Sequence, residues 1–259
     1  MSRLIPHVVQ NEESVPLIES DKWNPPQPKS DEKIWRYRSL GQFVTLLDRE
    51  KLWFSRSDNF DDPYEGSVPP MNIHDRRSKY DEGTQAALSD TYRSFRLLTY
   101  LNCWHMNNHE SDAMWRLYTD GRGVAIISTP ESVKKSLENT DDLEFGEVTY
   151  IDYSKETICE DSTIAPYYHK RNGFRHEQEY RILYRDLDKF PENGVPYTKL
   201  GDVLNSGKQM SVDVDTLIEK ILIGPTAPEW LHSTVKSITE KYGYEFEIES
   251  SELNQQPQF

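Results

Sequence analysis

Apolar and polar side chains swap with period two in several short stretches of the chain and recur at helical spacing in others, and the two patterns interleave. IWRYR (34–38) alternates, as a strand does when successive side chains point to opposite faces. GQFVTLLDREK (41–51) instead carries Phe43, Leu46 and Leu47 as one stripe behind Ser39, a fitting helix N-cap. LWFS (52–55) predicts a strand, and SDNFDDPYEGSVPP (57–70) a loop rich in turn formers. Residues 75–95 predict one polar helix, 97–105 a strand, and 111–118 a short helix. In that short helix Ser111 caps the start, Asp112 suits the positive N-terminus, and Met114, Trp115 and Tyr118 form the apolar face. GRGVAIIS (121–128) reads as a buried strand, Pro130 as the start of a helix to Leu137, and FGEVTYIDYS (145–154) as an alternating strand. After a connector at 155–173, FRHEQEYRILYR (174–185) begins charged and ends alternating. Tyr180, Ile182 and Tyr184 fall on one side, Glu177, Glu179 and Arg181 on the other. KILIG (220–224), a helix from Pro228 carrying Trp230, Leu231, Val235 and Ile238, and YEFEIES (244–250) complete a β-α-β piece that ends past Gly243. Short alternating strands mixed with amphipathic helices define an α+β class, with mixed or antiparallel sheets and flanking helices.

The ends of the chain carry no such pattern. Residues 1–32 include NPPQPKSDEK and are expected to form a flexible extension, though Trp23 and the apolar run 15–18 offer docking points. A single domain is expected over 33–250 and a loose tail over 251–259. Aromatic residues at 12% argue that most of the 259 residues fold. The formal charge of −14 opposes an extended nucleic-acid-binding face, because the basic clusters are only short ones such as Arg76-Arg77 and Lys170-Arg171. Cys103 and Cys159 belong to no CxxC pair, which leaves neither a metal motif nor a disulfide framework. No signal-peptide core opens the chain, and no apolar run reaches membrane-spanning length. The expectation is a cytoplasmic protein with reduced thiols and no membrane partner.

Several groupings bear on chemistry. Glu177 and Glu179, aimed the same way at the mouth of a strand, suit stabilisation of a cationic sugar and proton transfer; the alternative is a solvated strand with a weak Glu179–Arg181 contact. Arg36 and Arg38 share one face of the first strand and suit a diphosphate or ribose, with Tyr37 on the opposite face. Asp58, Asp61, Asp62 and Glu65 lack calcium-loop spacing, so this acidic loop reads as structural, as the wall of a pocket. His105 and His109 stand four apart without an HExxH pattern or a third ligand, so no metal is assigned to them. Gly121 and Gly123 do not complete a dinucleotide fingerprint, and Gly224-Pro225-Thr226 reads as a turn.

Taken in order, WRYRSL, LWFSRSDNFDDPYEG, CWHMN…SDAMWRLYTDGRGVAI, HEQEYRILY and ILIGP resemble a bacterial domain-of-unknown-function family, number 2971 in that series, over roughly residues 33–252. The name of that family implies no reaction. The same order is similar to the ADP-ribosyltransferase fold, whose members bind NAD between two small sheets. That second resemblance implies Glu179 as the catalytic glutamate and Glu177 as the acceptor-directing one. It also implies Arg36 or Arg38 on the dinucleotide with Tyr37 beside them, Tyr118 stacked on nicotinamide near Ser111, and a macromolecular acceptor of unknown identity. The Ser-Thr-Ser strand of those enzymes is matched only in part, by Ser128-Thr129. Two other readings stay open. One is a non-catalytic nucleotide- or partner-binding module of a bacterial defence or toxin-type system, phage defence included. The other is a metal-dependent nuclease using Glu177, Glu179 and the acidic loop.

Overall fold

A computed structural model describes residues 23–119, 121–190, 204–255 and 257. The strands and helices are β1 (Ile34–Arg38), α1 (Leu40–Arg49), β2 (Lys51–Arg56), α2 (Pro70–Lys79), α3 (Glu82–Leu98), β3 (Thr99–Met106), α4 (Asp112–Thr119), β4 (Val124–Ser128) and α5 (Pro130–Ser136). There follow β5 (Leu143–Glu147), β6 (Thr149–Ile151), β7 (His169–Arg171), β8 (Glu179–Arg185), β9 (Gly207–Ser211), α6 (Val214–Leu217), β10 (Lys220–Ile223), α7 (Trp230–Lys241) and β11 (Glu247–Ser250). Nine strands form one open sheet, antiparallel except for the β10–β11 pair, and β6 and β7 make a small parallel ribbon. Helices with a mostly antiparallel open sheet make this an α+β protein, as the sequence pattern implies.

Both faces of the sheet are covered. On one, Ile34, Ile126, Trp104 and Ile182 meet Phe43 and Leu47 of α1 and Val235 of α7 in the largest core cluster. On the other, Trp35, Tyr37, Ala125 and Ile127 pack against Met114 and Trp115 of α4. Further along that second face, Leu101 and Leu183 meet Tyr167 and Tyr168. Ser39 closes a capping box with Gln42 at the start of α1, and Glu50 ends the helix in left-handed conformation.

Four expectations change. The single helix over 75–95 is two, α2 and α3, because Asp81 leaves helical geometry to accept the Thr84 N–H as an N-cap. The strand over 145–154 is two short ones in different sheets, β5 beside β8 and β6 beside β7. The connector at 155–173 contains β7, and β9 forms where the sequence pattern predicts no element. The extension expected to be loose is, over residues 23–27, laid against the domain. Trp23 packs on Tyr168 and His169, Gln27 donates to the Phe145 carbonyl (2.6 Å), and the Pro26 carbonyl accepts from Glu147 N–H (2.8 Å). Residues 1–22, with the apolar run 15–18, lie outside the described residues.

Candidate functional site

The sheet is split, and the split follows from how β3 is shared. One edge of β3 pairs with β8 along its whole length, from Thr99–Arg185 to His105–Glu179. The other edge serves two strands. β1 takes the end at His105 and Met106, β2 the end at Tyr100 and Leu101, and Asn102, Cys103 and Trp104 pair with neither. A cleft of about 500 Å³ opens there, within the ~300–1,000 Å³ usual for small-molecule sites. The split is bridged at the Trp53 carbonyl, which accepts from the Asn102 amide (2.9 Å) and from Arg36 Nη2 (3.3 Å).

Both arginines of β1 line this cleft. Arg36 is only 6% exposed and its guanidinium lies 5.4 Å from the Trp104 ring centroid. Its Nε and Nη1 have no hydrogen-bond partner. Burial, then the neighbouring Arg38, lowers its pKa well below the ordinary arginine value. A buried cation with unmet donors is costly, and an anion in the cleft would offset that cost. Arg38 is half-buried. Tyr37 also lines the cleft, from the opposite face of β1. Its hydroxyl accepts the Ser111 N–H (2.9 Å), and its ring meets Trp115 edge-on at 4.9 Å. Ser111 thereby fastens the start of α4 to β1 and is not among the residues lining the cleft. Tyr118, at the far end of α4, does line it and is 51% exposed.

The acidic end lies on the opposite side of β3. Glu179 opens β8 as expected, but Glu177 is not on that strand. It ends a 3-10 segment, Asn172–Glu177, and Gln178 turns the chain at φ 39° before the strand begins. Strand alternation therefore does not align the two carboxylates. They converge because the Lys170 ammonium, delivered by β7, contacts both, with Glu179 Oε1 at 2.9 Å. Glu179 also accepts two hydrogen bonds from Arg181, from Nε to Oε2 at 2.8 Å and from Nη2 to Oε1 at 2.9 Å. Arg181, fully buried, donates in turn to both oxygens of Glu65, at 2.6 and 2.9 Å, and to the Tyr167 carbonyl. The weak surface contact considered for Glu179 and Arg181 is thus a buried five-residue ion network. Glu65, from the acidic loop, anchors it.

The network sorts the two acids. Burial alone would raise Glu179, but Arg181 and Lys170 hold its carboxyl well below the usual range. Glu177 is pushed up to about 7 by burial and then by the charge of Glu179, despite its contact with Lys170. One carboxylate is fixed in its charged form and its neighbour titrates near neutrality. Side-chain exposure follows the same order, 7% for Glu179 against 16% for Glu177, and both line the cleft.

Arg36, Arg38, Tyr118, Glu177 and Glu179 therefore meet around one hollow, although they come from β1, α4, the 3-10 segment and β8. Sequence reasoning missed Lys170, in a segment read as a connector, and His105, considered only as a metal ligand. It read Glu65 as part of a loop and did not find its charge partner. Among the described residues no group of three or more His, Cys, Asp or Glu is placed to hold a metal ion, and no helix is long and apolar enough to cross a membrane.

No curated protein and no solved structure matches the chain. The model of a family described as a protein of unknown function (DUF2971) matches residues 114–182, which run from α4 into β8 and include Tyr118, Lys170, Glu177, Glu179 and Arg181, and over that stretch, well under half of the chain, the protein is similar to that family.

Proposed function

We propose that the split cleft binds a dinucleotide, NAD, and that the protein transfers its ADP-ribose part to an acceptor. The observation that carries this reading is Arg36: a buried guanidinium with two unpartnered nitrogens, in a cleft whose other end holds two carboxylates. Arg36 and Arg38 suit the diphosphate. Tyr118 offers a ring face to the nicotinamide. The fixed charge of Glu179 favours the cationic sugar that forms when the bond from the anomeric carbon to nicotinamide breaks. The bonding pair leaves with the nicotinamide nitrogen. An acceptor N–H or O–H then bonds to the anomeric carbon, and its proton passes to Glu177, whose pKa of about 7 suits that step. A cytoplasmic location, where NAD and reduced thiols coexist, goes with this reading.

The test is incubation with NAD and chromatographic detection of free nicotinamide. Release in the wild type, strongly reduced at limiting NAD in Arg36→Met, supports the assignment. Release that is unchanged in that variant rejects it. A second reading, a dinucleotide-binding module without turnover, has one observation in its favour. Most of the acceptor capacity of Glu179 is already taken by Arg181 and Lys170, leaving little for a ribose hydroxyl. Tight NAD binding with no nicotinamide release would select it. For the nuclease reading, Lys170 stands between the two carboxylates where a divalent cation would need to sit.

A further inference from the structure

His105 has no part in the steps above, yet it lines the cleft beside the reacting end. It faces Glu179 across β3–β8 and Trp35 across β3–β1. It is 5% exposed. Its Nδ1 lies 2.7 Å from the Glu177 carbonyl oxygen. That oxygen can only accept, so Nδ1 carries the proton. In a neutral ring Nε2 is then a bare lone pair, and here it has no partner. Burial lowers the pKa of the ring, which keeps it neutral.

We propose that His105 Nε2 is a specificity-determining acceptor that takes an N–H of the ligand's departing base, so that the cleft selects a carboxamide-bearing base over the corresponding carboxylate. The inference rests on the dinucleotide reading and deepens it. A carboxamide brings the N–H that the lone pair lacks. A carboxylate brings only oxygens, which would meet both that lone pair and the negative charge of Glu179. A buried acceptor left without its donor discriminates strongly.

The two ligands to compare are NAD and nicotinic acid adenine dinucleotide, which differ only in that group, with affinities measured by calorimetry. The wild type binds NAD at least about tenfold more tightly. His105→Asn keeps a donor for the Glu177 carbonyl while removing Nε2. It brings the affinity ratio to near one, mainly by weakening NAD. A merely structural role for His105 would weaken both ligands alike and leave the ratio standing, which overturns the proposal. Equal binding of both by the wild type overturns it too, while the dinucleotide reading survives. Binding of neither brings down the dinucleotide reading and this inference with it. A nitrogen-15 spectrum of the ligand-free protein gives an independent check: it should show protonated Nδ1 and unprotonated Nε2 in His105, and the reverse tautomer would refute the argument.

Discussion

Glu177 and Glu179 stand two residues apart and titrate in opposite directions, and each direction has a consequence for stability. Glu177 has a folded pKa raised to about 7, so between its unfolded value near 4.5 and 7 the folded state binds more protons than the unfolded one. Its contribution to stability is full below pH 4.5 and is lost as pH rises toward 7. Glu179 is held low, so its contribution is present above the unfolded value and is lost in acid. Urea denaturation between pH 5 and 8 should show stability falling with pH in the wild type and a flatter profile in Glu177→Gln; an equal slope in both would remove Glu177 as the cause. Arg181 gives a sharper test. Arg181→Met leaves Glu65 and Glu179 buried without their shared cation, and breaking such pairing costs about 3–5 kcal/mol. Glu179→Gln is a poor probe of chemistry for the same reason, since it disturbs the network that holds Arg181. The pattern of the chain made Glu177, Glu179, Arg36 and Arg38 legible as candidates, because charged residues beside short alternating apolar runs stand out. It could not reveal Lys170 or Glu65, whose roles depend on partners 9 and 116 residues away in the chain.

Elements were legible where a local signal fixed a start or a face. Ser39 marks the start of α1, and the tight alternation of Tyr180, Ile182 and Tyr184 marks β8. They were not legible where pairing decides. β9 (GKQMS) has a weak pattern and is a strand because β2 offers it an edge. The stretch 145–154 alternates throughout yet divides, because Val148 donates its N–H to the Glu179 carbonyl while Thr149 turns to the Tyr168 carbonyl. The segment 23–27 has no strand pattern, but it lies along the free edge of β5, accepting the Glu147 N–H and donating to the Phe145 carbonyl. Gly146 makes the fit possible, since a Cβ there would come 2.4 Å from the Pro25 side chain. Exposed strand edges template association. Removing residues 1–28 should therefore increase self-association, read by light scattering over a concentration series, and Gly146→Val should reproduce part of the effect. A truncated protein whose scattering matches that of the full chain would show that the β5 edge is protected by other means.

At the scale of the molecule, the charge of −14 sets a condition on any anionic ligand. Under the proposed reading, a negative dinucleotide would approach through a repelling field and would meet Arg36 and Arg38 inside the split. Two effects then separate by range. The long-range repulsion is screened as the Debye length shrinks from about 30 Å at 0.01 M salt to about 8 Å at 0.15 M. Arg36 is buried, so a contact with it would be screened far less. Stopped-flow association of NAD should accordingly quicken, not slow, as salt rises across that range, the opposite of what a basic binding face produces. Arg36→Met should weaken equilibrium binding by about tenfold or more, since hydrogen bonds to charged groups are worth about 1.5–3 kcal/mol. The loss should be similar at both salt concentrations. Association that slows with salt would mean that the ligand is drawn in by exposed cations elsewhere on the surface, and the split between β1 and β2 would then lose its claim to be the entrance.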